Sequence, residues 1–199
     1  MKRHLQIHWW KYAAVLLVSV IFWNGLFGIL EAPKRTQQLN ILFVGTKLDT
    51  QALQTKVSEN LPPSIREVRV AAVTFDEASY KSKLSAYSVT NDLIIIEQSH
   101  LAENVGQNIF ARLTDGMLAR FPHATAYTEQ VEESITLPFG FVLYDGKTQT
   151  HFSACYSGNE PCYVFCSPDS VNFDTLNENG KPGNDAALQT LQYLLEMTP

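Results

Sequence analysis

The sequence predicts an α/β protein: a single three-layer α/β/α lobe around a mostly parallel sheet, preceded by one transmembrane helix. Three observations lead there. Strand-like apolar runs alternate with helix-like segments from Leu39 onward. The third such run, Asp92–Ile96, is apolar without interruption from Leu93, as expected of a strand covered on both faces in a parallel sheet. Finally, Tyr12–Leu30 (YAAVLLVSVIFWNGLFGIL) carries no charge over nineteen residues. About 20 apolar residues span the hydrocarbon core of a bilayer.

The charged head (Lys2, Arg3) and apolar stretch also describe a cleaved signal peptide. This run is longer than a usual signal core, and a small-x-small exit is poor around Leu30-Glu31-Ala32, so an uncleaved anchor is expected. Trp9, Trp10 and Tyr12 suit the membrane interface, and Lys2, Arg3 and Lys11 outnumber Lys34 and Arg35 across the span. The expected organisation is a short cytoplasmic tail over 1–11, an anchor over 12–30, a linker over 31–38 and an extracytoplasmic domain over 39–199. The protein is then a single-pass protein of the cell membrane. Its domain of about 160 residues is enough for one core.

Leu39–Val44 (LNILFV) reads as the first strand and ends at Gly45-Thr46. Asp49 can cap a helix from Thr50 to about Asn60, with Leu53 and Val57 facing inward; Pro62-Pro63 ends it. Glu67–Phe75 is the second strand. Asp76 caps a short helix through about Lys83, with Tyr80 and Leu84 on one face, and Asp92–Ile96 is the third strand. A single helix is expected over 102–121, since Val105, Ile109, Leu113 and Met117 recur every four residues. Thr136–Tyr144 is a strand that Pro138 assigns to an edge or a bulge. Asp145-Gly146 signals a hairpin turn, with strands over 148–152 and 162–166 after it. A polar loop over 177–183 and a terminal helix capped by Asn184 or Asp185, with a stripe of Leu188, Leu191, Leu194 and Leu195, complete the chain.

Right-handed crossovers give the strand order 2-1-3, plus an antiparallel strand. Ligands of such sheets bind beyond the carboxyl ends of the strands. That rule selects Thr46, Phe75, Asp76, Gln98, Ser99 and His100 as candidate ligand-binding residues. It also explains why the apolar run NDLIII gives way to EQSH: polarity begins where the strand leaves the core.

The formal net charge is −5, and the basic residues outside the head are scattered, which argues against nucleic acid as a partner. Cys155, Cys162 and Cys166 allow one local disulfide or three buried thiols. Their C-x6-C-x3-C spacing is not that of a structural zinc site, and no metal or other cofactor is expected. Asp76 or Glu97 as base, His100 as acid and Ser99 as nucleophile would form a catalytic set. Capping and strand-end roles account for the same residues, and no G-x-S-x-G elbow is present; the expectation is a protein that is not an enzyme. The aromatic residues Phe139, Phe141, Tyr144, Phe152, Tyr156, Tyr163 and Phe165 suit either a core or a sugar-stacking surface.

The stretch VRVAAVTFDEASYKSKLSAYSVTNDLIIIEQSHLAENVGQNIFARLTD resembles the first lobe of extracellular solute-binding proteins that serve ABC importers, with the type 2 periplasmic-binding fold. TLPFGFVLYDG resembles the family's passage toward its second lobe. CYVFCSPDS followed by GNDAALQTLQYLLEM resembles its S-x-N…A-A-x-x-x-L-x-Y-L helix. The resemblance implies weak binding of a sugar or other small solute, as a transport accessory or sensor, with an ABC-transporter permease or another protein as partner. The chain departs from that family in size. Only the fifteen residues Lys147–Pro161 stand where a second lobe would be, so hinge closure around a solute is not expected. The alternative expectation is an interaction or self-assembly module on the same fold.

Overall fold

The computed structural model describes residues 2–110, 112–173 and 185–196. The chain divides into two compact units, Met1–Lys34 and Arg35–Pro199. The first is one helix, α1 (Lys2–Glu31). Its Trp9–Phe27 segment is long and apolar enough to cross a membrane, as an anchor or a signal sequence would be.

The second unit is a mixed α/β fold. Among the described residues its strands are β1 (Gln38–Val44), β2 (Glu67–Val73), β3 (Leu93–Glu97), β4 (Ala126–Glu132), β5 (Ile135–Tyr144) and β6 (Cys162–Cys166). They form one sheet in the order β2-β1-β3-β6-β5-β4. The expected order of the first three strands holds, since β1 lies parallel between β2 and β3. The rest corrects the expectation: β6, β5 and β4 join antiparallel, so two of the five strand pairings are parallel and three antiparallel.

Alternation along β1 and β3 sends successive side chains to opposite faces, and their buried side chains divide between two core clusters. Leu39, Ile41, Phe43, Leu93 and Ile95 share one core cluster with Leu53 and Val57 of α2 (Thr50–Glu59) and Leu188, Leu191 and Leu194 of α6 (Ala186–Leu195). Leu42, Val44, Ile94 and Ile96 share the other with Tyr80 and Leu84 of α3 (Tyr80–Thr90) and Val105 of α4 (Val105–Ile109). Asp49 caps α2 by accepting from the Ala52 N–H at 2.9 Å. The side chain of Asp185 makes no capping bond to α6; Asn184, the polar loop over 177–183 and Met197 lie outside the described residues.

Three expectations fail, each for a tertiary reason. The helix expected over 102–121 is two short ones, α4 and α5 (Asp115–Arg120). Between them Phe110 is extended, the Leu113 N–H donates to the Pro138 carbonyl, and Thr114 caps α5. Val105 and Phe110 serve one core cluster, Leu113 and Phe121 the other, so the four-residue period is shared between two faces. The strand expected over 148–152 is absent. There the Asp145 carboxylate accepts from the Lys147 and Thr148 N–H groups, and Thr150 and Ser153 exchange side-chain bonds across a turn. The hairpin partner of β5 is instead β4, a mostly exposed strand with no apolar period to announce it. Pro138 sits beside the β-bulge expected of it, between the Tyr127 and Thr128 pairings, although β5 is interior and not an edge.

At the amino ends of the parallel strands lies a buried polar hub. Asp92, fully buried, receives both guanidinium nitrogens of Arg35 at 3.0 Å, the Asn40 N–H at 2.8 Å and the Ser170 hydroxyl. A 3-10 turn over Arg35–Gln37 leads directly into β1, and the Arg66 N–H bonds the Gln37 carbonyl. The compact unit therefore begins at Arg35, ahead of the boundary expected at Leu39.

Candidate functional site

The carboxyl ends of β1 and β3 converge on Glu97. As the last residue of β3, Glu97 continues the buried run of that strand, and its side chain is only 2 % exposed. Burying a carboxylate is costly unless its oxygens are hydrogen-bonded. Here Oε1 accepts from the Tyr156 hydroxyl at 2.6 Å and Oε2 from the Thr46 N–H at 3.2 Å. His100 Nε2 stands 3.9 Å from Oε2. Gly45 makes this approach possible: a Cβ there would lie 2.2 Å from Glu97 Oε2 and 2.7 Å from the Phe43 ring. Gly158 does the same for Tyr156, whose hydroxyl would stand 2.2 Å from a Cβ at that position.

Tyr156 comes from the connection between β5 and β6, which runs across this rim as a strap. Leu48 and Tyr156 form an isolated β-bridge, the Asp49 N–H bonds the Cys155 carbonyl, and the Ser157 N–H and hydroxyl both donate to the Lys47 carbonyl. Farther along, Glu160 accepts from the Ser99 N–H at 3.1 Å and pairs with Lys47 at 3.2 Å, while the Gln98 N–H bonds the Pro161 carbonyl at 2.9 Å. The strap thus takes up the backbone donors of Gln98 and Ser99.

The six sequence-selected residues divide into two groups. Thr46 and His100 meet at Glu97, and Gln98 and Ser99 meet the strap. Phe75 and Asp76 form a separate corner: Phe75 is half-buried against Tyr80 and Tyr87, at centroid distances of 5.8 and 5.7 Å. Asp76 accepts from the Ser79 N–H at 2.7 Å and from Lys83 at 3.3 Å. Those bonds, Ser79's first, hold its carboxyl down at about 2.

Burial pushes the Tyr156 phenol far above its ordinary range, and its bond to the Glu97 carboxylate adds to the effect. Burial likewise raises the Cys162 thiol, which pairs in register with Glu97, to about 12. A thiol in that state is a poor nucleophile. The three cysteines are free and buried, which is the thiol alternative of the two left open by their spacing. Among the described residues no group of three His, Cys, Asp or Glu side chains could hold a metal ion. Chemically the Glu97 cluster is a hydrogen-bonded lock between sheet and strap.

Sequence reasoning missed the rim roles of Lys47, which follows β1, and of Tyr156, Glu160 and Cys162, which reach the rim through the strap or β6. The aromatic residues that suited a core or a sugar-stacking surface are largely core: Phe139, Phe141, Phe152, Tyr156 and Phe165 are buried, with Tyr144 and Tyr163 half-buried.

A cavity of about 590 Å³ lies elsewhere, between α6, β5 and the turn after α5. Phe121, Leu143, Tyr144 and Leu195 supply its apolar wall, and His123 and Gln192 are among its polar lining. None of the six sequence-selected residues lines it.

No protein-family model, curated protein or solved structure matches this chain.

Proposed function

We propose that the protein is a membrane-anchored, extracytoplasmic, single-lobe binding domain of the solute-binding-protein-like class. On this reading the helices form outer layers on both sides of the sheet, and the domain takes a sugar or other small solute weakly, as a transport accessory or sensor beside an importer permease. The observation that carries the reading is the cavity of about 590 Å³, a size usual for small-molecule sites, which run to about 300–1,000 Å³ and combine an apolar wall with a few polar groups. Of the rim residues first selected, Gln98 and Ser99 are less suitable hosts, because the chain's own strap occupies their backbone N–H groups.

With no second lobe to close over it, a solute in this cavity keeps part of its surface wet, and dissociation constants of about 10 μM to 1 mM follow. Calorimetry of the full chain in detergent, against sugars, amino acids and short peptides, is the test. Ala124→Trp, which places an indole in the cavity lining, should abolish the heat signal without changing the melting temperature. Binding that survives Ala124→Trp, or no binding to any solute, would count against the reading. A second reading, an interaction module without a solute, draws support from the closed rim.

A further inference from the structure

The cavity between α6, β5 and the turn after α5 carries an unbalanced charge. Its lining includes Arg120, His123, Asp145 and Glu196. The guanidinium is already engaged, since Arg120 pairs at 3.4 Å with Asp185, which is not part of the lining. Neither lining carboxylate has a comparable partner: among the described residues no basic side chain pairs with Asp145 or Glu196. Two negative charges therefore border the cavity without a fixed counter-charge.

Both are held in place by backbone bonds. Asp145 follows β5, and its carboxylate accepts from the Thr148 N–H at 2.7 Å, the Lys147 N–H at 2.9 Å and the Thr148 hydroxyl at 2.9 Å. The Thr148 and Lys147 N–H groups hold its carboxyl below the usual carboxylate range, so the charge persists at neutral pH. Glu196 follows α6. Its N–H bonds the Gln192 carbonyl at 3.1 Å, and its own carbonyl accepts from the His151 N–H at 3.2 Å, which fixes the backbone that bears the carboxylate. Phe121 and Tyr144 belong to the same lining, and an aromatic face attracts a cation.

We infer that the cavity selects a small organic cation, an amine with an apolar body, whose ammonium is balanced by Asp145 and Glu196 while its body lies on the wall of Phe121 and Tyr144. The sign follows from what each class of solute would meet. An anion would face two carboxylates, with the charge of Arg120 already shared with Asp185. A neutral sugar would displace water from both carboxylates without supplying a counter-charge. A cation alone gains charge-assisted hydrogen bonds there. This selectivity rests on the reading of the cavity as a solute site and narrows it to one charge class.

Calorimetry of the full chain in detergent with three probes of one shape tests it: tyramine, the matching alcohol tyrosol and the matching acid desaminotyrosine. Tyramine should bind about tenfold more tightly than tyrosol, a ratio equal to about 1.4 kcal/mol and within reach of two partly exposed ion pairs. The acid should give no heat. Asp145→Asn with Glu196→Gln keeps the shape of both side chains, and the asparagine oxygen can still accept from the turn N–H groups. Tyramine should then lose its advantage over tyrosol. Should the double variant melt early, Glu196→Gln alone, at an exposed position, should lower the ratio about threefold. Ala124→Trp should abolish tyramine binding and so locate it in this cavity. Equal binding of the three probes, preference for the acid, or a tyramine preference that survives the carboxylate substitutions would overturn the cation assignment and leave a solute site standing. Silence from tyramine while a sugar or peptide binds would do the same. Tyramine binding that survives Ala124→Trp, or no binding by any solute, would overturn both.

Discussion

The hydroxyl of Tyr156 donates to the buried carboxylate of Glu97 at 2.6 Å, across fifty-nine positions of sequence. This bond joins the carboxyl end of β3 to the strap between β5 and β6. A buried acceptor that loses its donor costs about 1–3 kcal/mol. Tyr156→Phe should therefore lower stability by about that amount in denaturant titrations. Tyr156→Phe with Glu97→Gln should not be additive, because the two groups share one interaction. Additive losses would show that the bond is not formed in solution.

The second buried carboxylate, Asp92, predicts an asymmetry. Its side chain is 0 % exposed whereas that of Arg35 is 34 % exposed. Asp92→Ala leaves the Asn40 N–H, the Ser170 hydroxyl and Arg35 without their acceptor, and breaking such a buried pair costs about 3–5 kcal/mol. Arg35→Ala should also destabilise, but Asp92 would keep two protein donors. Chemical denaturation should rank Asp92→Ala below Arg35→Ala; the reverse order would contradict the hub.

Asp76 supplies a pH signature. Its folded-state carboxyl is depressed from 3.8 to about 2 by the bonds from Ser79 and Lys83. The depressed sense means that its contribution to stability is complete above the unfolded value and is lost as pH falls from about 4 toward 2. Carboxyl chemical shifts followed by NMR should give Asp76 a midpoint near 2 in the folded protein. Lys83→Ala should move that midpoint upward. A midpoint near 3.8 in the wild type would mean that the cap is not formed.

The three cysteines should behave as core residues. Cys155, Cys162 and Cys166 are buried, and burial raises each thiol. A maleimide at neutral pH should label none of them rapidly in the folded protein and all three in concentrated urea. Rapid labelling of Cys162 without denaturant would show that the strap opens.

Ile95 tests the strand assignment itself. It is 0 % exposed at the centre of β3, between Phe43 of β1 and Val164 of β6. Ile95→Asp would place an unpaired charge there, at a cost of several kcal/mol, and should abolish cooperative unfolding. A folded Ile95→Asp variant would exclude the register described.

The sequence by itself determined the apolar N-terminal helix, the run Leu93–Ile96 as a buried strand, the order of the first three strands and the caps at Asp49 and Asp76. The helix, the buried strand and the caps depend on local composition or on contacts close along the chain, which periodicity and capping chemistry record directly, and the strand order followed from the handedness of parallel crossovers. The tertiary structure decided the rest. β4 is mostly exposed and polar, so its pairing with β5 left no periodic trace. The segment over 102–121 has a helical period, yet it divides because its apolar residues serve opposite faces of the sheet. Glu97 was visible only as a polar residue ending a strand and as a candidate base. What holds it is Tyr156, delivered by a strap whose path depends on where β5 and β6 pair, and no local pattern encodes a bond between residues so far apart.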